Sequence, residues 1–338
     1  MKKRHGAIFL ITFIFFLSLI PTTFSKASEL NFSVNAVIPD NQIDKEKSYF
    51  DLKVTPGEKQ NLIVKLRNTT DKEIVINPHI QSAKTNKNGV IDYTPNKIKK
   101  DDTLKIAMED VAKVPEEVTV PPQSEKDLTI EVTMPKDKFD GVILGGIYLK
   151  EDTSKNKEDD KEKDVAIKNE YSYVVALQMR QNNNKVKPML HMNEVNPETQ
   201  NARNVIVANI QNSEPMIISK LKIDATVNKK GSKDNLAILK KENLQVAPNS
   251  NFNIAVPLEG EKLEAGTYIL NMKAESAGKE WQFKKEFSIS ADKATMMNEK
   301  DVTLEKETPT MLYIFLGVAF LIVIAVVIYF IIRRNKRK

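Results

Sequence analysis

A chain of 338 residues with 51 Lys plus Arg, 45 Asp plus Glu, 3 His and no Cys has length for two or three domains. Lacking Cys, it has no disulfide, thiolate metal ligand or Cys nucleophile. Its net charge of +6 resides at the ends: nine cations and no acids lie in residues 1–27 and 333–338, which leaves −3 between them and argues against a nucleic-acid groove.

Residues 1–27 have the three parts of a secretory signal. Lys2, Lys3 and Arg4 precede an apolar run from Ala7 to Ile20, Pro21 breaks it, and Ser25-Lys26-Ala27 offers small residues for cleavage after Ala27. The run is short for a membrane span, which needs about 20 apolar residues.

From residue 28 onward the pattern has period two. Leu62, Val64 and Leu66 alternate with Asn61, Lys65 and Arg67, with Ile63 out of step; Leu128, Ile130 and Val132 alternate with Thr129, Glu131 and Thr133. Such alternation predicts strands with one face on a core and the other in water. Further strands are expected over 30–38, 48–55, 73–83, 142–150 and 170–180, then over 187–194, 203–211, 218–228, 236–246, 251–258, 267–275 and 280–290. About seven strands per half predict an all-β protein built as two tandem immunoglobulin-like sandwiches. A weak repeat supports this, because Pro56-Gly57-Glu58, Pro122-Gln123-Ser124 and Pro248-Asn249-Ser250 each precede an alternating strand.

Between the strands, Asn88-Gly89 within Thr85–Tyr93 reads as a tight turn. The stretch has a partial likeness to a calcium loop, but Lys87 stands where a carboxylate ligand would be needed. Leu104, Ala107, Met108 and Val111 have helical spacing and predict a short helical connection. Glu151–Asp164 is densely charged and reads either as an interdomain linker or as a long hairpin loop. The flanking segments 142–150 and 170–180 look like partners, which favours the hairpin and sets the units at 28–182 and 183–292. Residues 293–310 are polar and acidic and are expected to be a linker.

Met311–Ile332 holds 22 uncharged residues with Tyr313 and Tyr329 near its ends, and the basic tail 333–338 follows at once. This predicts one membrane-spanning helix with the body outside and the tail in the cytoplasm. Leu304-Glu305-Lys306-Glu307-Thr308 lacks the Pro and Gly of a sortase signal, so the span is expected to be retained.

Catalytic chemistry finds little support. His79 and His191 are the histidines left after cleavage; they fall in different predicted domains without metal-ligand spacing, so no catalytic, metal or cofactor-binding residue is assigned. Carboxylates are abundant, and a paired-acid hydrolase stays open by count alone. Trp281 reads as an exposed binding aromatic or, with Phe283 and Phe287 at even spacing, as core; the spacing favours core.

The order of segments resembles a known family. NFSVNAVIPDNQ, YFDLKVTPGEKQNLIVKLRNTT, KTNKNGVIDY and FDGVILGGIYL resemble the N-terminal domain of the WxL-interacting proteins. YSYVVALQMR, KPMLHMNEV, NVIVANIQN, VAPNSNFNIAVPLEG, LEAGTYIL and WQFKKEF resemble their C-terminal domain. The resemblance implies a non-enzymatic surface protein of Gram-positive bacteria, with a peptidoglycan-binding first domain and a second that binds WxL-domain proteins or host matrix components. It supplies no binding residue for any position here. A wall-active hydrolase, a purely structural spacer and a pilus-type chaperone using its sheet edges are the alternatives.

Overall fold

The computed structural model describes residues 30–154, 171–304 and 310–335. The expected signal segment, most of the charged run and residues 336–338 lie outside them. The first half comprises β1 (Phe32–Val37), β2 (Phe50–Lys53), β3 (Lys59–Asn68), β4 (Ile74–Ser82), β5 (Lys84–Thr85), β6 (Ile91–Asp92), α1 (Met108–Val111), β7 (Ala112–Lys113), β8 (Val118–Val120), β9 (Glu125–Thr133), β10 (Ile143–Glu151) and β11 (Ser172–Arg180). Two sheets, β1-β3-β9-β7 and β2-β11-β10-β4-β8, enclose one core. The alternation in β3 is realised, since Leu62, Val64 and Leu66 are buried between exposed Asn61, Lys65 and Arg67. Each such Leu, Ile or Val contributes roughly 1.5–3 kcal/mol by leaving water.

The strands that flank the charged run belong to the first sandwich. Strands β10 and β11 are antiparallel neighbours in register from Ile143↔Met179 to Lys150↔Ser172, so the segment between them joins two strands of one sheet. Strand β2 then adds parallel to the far edge of β11, through Leu177↔Phe50.

The second half comprises β12 (Leu190–Gln200), β13 (Arg203–Asn212), β14 (Ile218–Lys229), β15 (Asn235–Val246), β16 (Ser250–Pro257), β17 (Gly266–Ser276) and β18 (Lys279–Ile289). Its sheets β12-β13-β16 and β15-β14-β17-β18 place the strands in the immunoglobulin order, A-B-E facing C′-C-F-G. Both sandwiches use a buried asparagine at the end of their second core strand. Asn68 donates to the carbonyls of Lys72, Val120 and Pro121; Asn212 donates to those of Met216 and Ala247. The Pro-initiated turns of the sequence repeat lie beside them, with Gln123 and Asn249 at positive φ of 49° and 45°.

Two expectations are corrected. The helical window starting at Leu104 yields a helix only over Met108–Val111: Leu104 ends a turn from Asp101, whose carbonyl accepts its N–H at 3.0 Å, and Ala107 is extended. The linker expected over 293–310 instead begins with helix α2 (Ala291–Lys300). Ser290 caps it, and Ala294 and Met297 enter the second core. Asp301 fastens its end by accepting the Asn204 N–H at 2.8 Å. The polar composition hid this helix because only two of its apolar side chains are buried; Asn298 adds polar contacts, exchanging hydrogen bonds with the Leu263 N–H and carbonyl at 3.0 and 2.8 Å.

Helix α3 (Thr310–Asn335) follows. Its side chains are described for 314–329 and for Arg333. Among described residues no helix is long and apolar enough to cross a membrane.

The sandwiches meet through the β5–β6 hairpin. Gly89 at its tip has φ +70°, and its carbonyl accepts the Gln245 N–H at 2.7 Å. Thr85 Oγ1 accepts the Ala247 N–H at 2.9 Å and shares a hydrogen bond with Ser250 Oγ at 2.8 Å. On the other side the Val142 N–H donates to the Pro215 carbonyl at 2.7 Å. Ala83, Leu144 and Ala247 form a small apolar cluster between these contacts. Asp101 completes the junction: 7% exposed, it accepts from Gln211 Nε2 at 2.8 and 2.9 Å and from Asn251 Nδ2 at 2.6 Å. Burial pushes its carboxyl up, but the hydrogen bonds from Asn251, Thr103 and Gln211 outweigh this and hold it below the usual value.

Candidate binding surface

The outward face of β2-β11-β10-β4-β8 carries exposed His79 and half-buried Tyr148. Pairing registers align Val174, Tyr148 and His79 across β11, β10 and β4. The Tyr148 and His79 rings have centroids 6.5 Å apart at 30°. Val174 is 39% exposed, although a strand of this type would ordinarily carry a polar residue there.

The next row owes its shape to a missing side chain. A Cβ on Gly146 would stand 2.8 Å from Tyr93 Cβ and 3.1 Å from Val174 Cγ1, so only glycine lets Tyr93 lie over the strand. Burial raises the Tyr93 phenol pKa, with Tyr49 adding to the effect, which keeps the ring neutral. Tyr93, Tyr148 and His79 thus line up beside Val174.

Open grooves flank these rings. One of about 260 Å³ is lined by Asn77, His79, Tyr148, Lys150 and Asp152; a neighbouring one of about 700 Å³ shares Asn77, His79 and Asp152 and extends along Lys113–Glu117. The space exists because β8 pairs with β4 only over Ile74–Ile76 and α1 meets it at Gln81 and Ser82, so β4 has an open side from Asn77 to Ile80. Pro78 can occupy such a strand because its missing N–H breaks no ladder bond there. Ring faces beside amide and carboxylate side chains suit a ligand with an apolar face and hydroxyl or amide edges.

The remaining sequence candidates are not brought together. His79 is on β4 of the first sandwich, whereas His191 is on β12 of the second, where its Nε2 lies 3.2 Å from Ser213 Oγ. Among the described residues no group of three or more His, Asp or Glu is placed to hold a metal. Asn86, Asn88 and Gly89 form the tight turn: Asn86 Oδ1 accepts the Asn88 N–H at 2.9 Å and its N–H donates to the Val90 carbonyl at 3.0 Å. Trp281 is 7% exposed in the second core, with Lys279 Nζ 5.2 Å from its ring centroid. Phe287 is buried and stacked on Tyr268, and Phe283 is half-buried.

A polar cluster beside the grooves has a structural role. Ser82 Oγ accepts the Met108 N–H at 2.8 Å, capping α1 from another strand, and donates to Glu109. Burial raises the Glu109 carboxyl pKa, but the Ser82 hydrogen bond leads the effects that hold it lower, and Lys100 stands 3.5 Å away. Ser82 is 1% exposed, so no substrate reaches its hydroxyl.

Sequence reasoning missed the row of Tyr93, Tyr148 and Val174. Gly145-Gly146 inside an apolar strand was the available signal, since paired glycines there imply close approach by another part of the chain.

Comparison with protein families matches residues 32–151 to the WxL Interacting Protein peptidoglycan binding domain and residues 162–299 to the WxL Interacting Protein host binding domain. The second match takes in β11, which in three dimensions completes the first sandwich. No characterised protein sequence matches the chain. Several solved structures overlap loosely. The E. coli chaperone DraB is 16% identical, with 70% of this chain and 91% of that one covered and a TM-score of 0.25. The Pseudomonas aeruginosa CupB2 chaperone is 13% identical, with 67% and 91% covered and a TM-score of 0.26. A chaperone–tip adhesin complex of CFA/I fimbriae is 13% identical, with 77% and 98% covered and a TM-score of 0.30. Overlaps this loose carry no argument about the chain.

Proposed function

The chain belongs to the WxL Interacting Protein family, and from that membership we propose that it is a membrane-anchored, non-enzymatic scaffold on the cell surface. Its first sandwich holds peptidoglycan, and its second holds a WxL-domain surface protein or a host matrix component. The observation that carries this reading is the succession of the two family domains along one chain.

The ring-lined face supports a location for the first function on the outer face of the first sandwich. Tyr148, His79 and Tyr93 offer flat surfaces to the C–H faces of sugar rings, and Asn77 and Asp152 lie within the adjoining grooves to meet hydroxyl and amide groups. Recognition of this kind spreads affinity over many contacts and requires no reacting group.

Helix α3 supports the anchor. Its described apolar side chains are exposed all round, including Phe315, Phe320, Leu321 and Val327, and no other described element covers them. A helix apolar on every side is stable in lipid. In sequence the uncharged run covers Met311–Ile332, with five cations in the six residues after it, which would hold that end in the cytoplasm and the sandwiches on the wall side.

The test uses the full chain in detergent micelles, sedimented with insoluble peptidoglycan and separately captured on an immobilised WxL-domain protein. Retention on both, without release of soluble sugar or peptide fragments, is expected. Failure on both rejects the scaffold reading, and fragment release makes the protein a hydrolase.

A further inference from the structure

The outward face of β15-β14-β17-β18 carries two complete cross-strand rows. The registers place Lys240, Asp224, Lys273 and Gln282 in one row, and Ile238, Thr226, Asn271 and Lys284 in the next. A shallow groove of about 560 Å³ follows both.

The charges are unevenly balanced. Lys273 is held by Glu280 at 2.7 Å, and beyond the rows Lys222 meets Glu242 at 3.8 Å. Lys240 and Lys284, at opposite ends of the groove, make no ion pair among the described residues. With Lys273 offset by Glu280, Lys240 and Lys284 against Asp224 leave the lining at +1, on a body that is otherwise slightly acidic. Ile238 is 52% exposed on β15, between buried Ala237 and Leu239.

We propose that this face is the docking surface for an acidic, extended segment of a partner polypeptide, which seats an apolar side chain on Ile238. Charge complementarity selects an acidic partner. The mixed rows select a polypeptide over a uniformly anionic polymer: Asp224 between Lys240 and Lys273 repels continuous negative charge, whereas Thr226, Asn271 and Gln282 offer donors and acceptors to peptide groups. This rests on the reading that the second sandwich binds a protein.

The test measures binding of the full chain in micelles to a glutamate–tyrosine copolymer, with polyglutamate and polyphosphate as comparators. The copolymer is expected to bind most tightly. Lys240→Glu with Lys284→Glu weakens it by about tenfold or more, since each reversal replaces an attraction with a repulsion. Lys240→Gln with Lys284→Gln gives a smaller loss in the same direction, and Ile238→Ser brings the copolymer down towards polyglutamate. Unaltered copolymer binding in the charge-reversed protein overturns the proposal, as does polyphosphate binding as tightly as the copolymer or a copolymer that does not bind. Peptidoglycan sedimentation of the same variants reads the first sandwich separately, so loss of docking does not bear on the wall-binding reading.

Discussion

A Cβ on Gly89 would stand 2.7 Å from Leu244 Cδ2, so the first sandwich touches the second at a point where a side chain does not fit. Gly89 also has φ +70°, which L-residues adopt at a cost. Gly89→Ala therefore combines backbone strain with a clash and is expected to destabilise the protein by about 1–3 kcal/mol. Thermal unfolding reads the loss. Hydrogen exchange should rise first at Gln245 and Ala247, whose N–H groups donate across the junction.

Asp101 makes the same junction sensitive to acid. Its folded pKa lies below the usual carboxylate value, so its contribution is complete above the unfolded pKa and is lost as pH falls through the folded one. Stability should decline below about pH 4. Asp101→Asn places an amide donor before Gln211 and Asn251, costs about 1–3 kcal/mol at neutral pH, and makes the acid decline shallower. Urea midpoints from pH 3 to 7 check both the sign and the slope.

Helix α2 is held on the second sandwich by two buried apolar side chains, Ala294 and Met297, and by hydrogen bonds of Asn298 and Asp301. Met297→Ala removes a fully packed side chain and should cost about 2–5 kcal/mol. Limited proteolysis should then cut near residue 300 before either sandwich opens. Equal protease resistance in the variant would mean that α2 does not depend on this side chain.

The ring-lined face separates binding from stability. Tyr148→Ala with His79→Ala removes exposed or half-buried rings from the outer face and should weaken peptidoglycan retention by about tenfold, while the unfolding midpoint moves little. Gly146→Ala tests the same face from beneath, because its new Cβ displaces Tyr93. Unaltered sedimentation of both variants would move the ligand to another surface.

Buried Asn212 ties two loops to its strand end and is fully enclosed. Asn212→Ala leaves the carbonyls of Met216 and Ala247 without their donor and should cost about 1–3 kcal/mol. Asn68→Ala should behave alike in the first sandwich, and a much smaller effect there would show that the two devices are not equivalent.

The long strands of both sandwiches were legible in the sequence because alternation is local: Leu62, Val64 and Leu66 face inward whatever β3 pairs with, whereas the two- and three-residue strands β7 and β8 are too short for a periodic signal. The resemblance to the family was legible for the same reason, since it rests on successive strand phrases that match in order. Helix α2 was hidden because Ala294 and Met297 alone face the core, too few for a periodic signal in a polar segment.

Only the tertiary structure decided that β11 returns to the first sandwich, that Tyr93 lies over Gly146, that Gly89 meets Leu244, and that Asp101 joins Gln211 and Asn251. Each of these joins residues far apart in the chain. Period and composition say which way a side chain points from its own strand, whereas the identity of the group it meets depends on where distant segments are brought by the packing of the whole core.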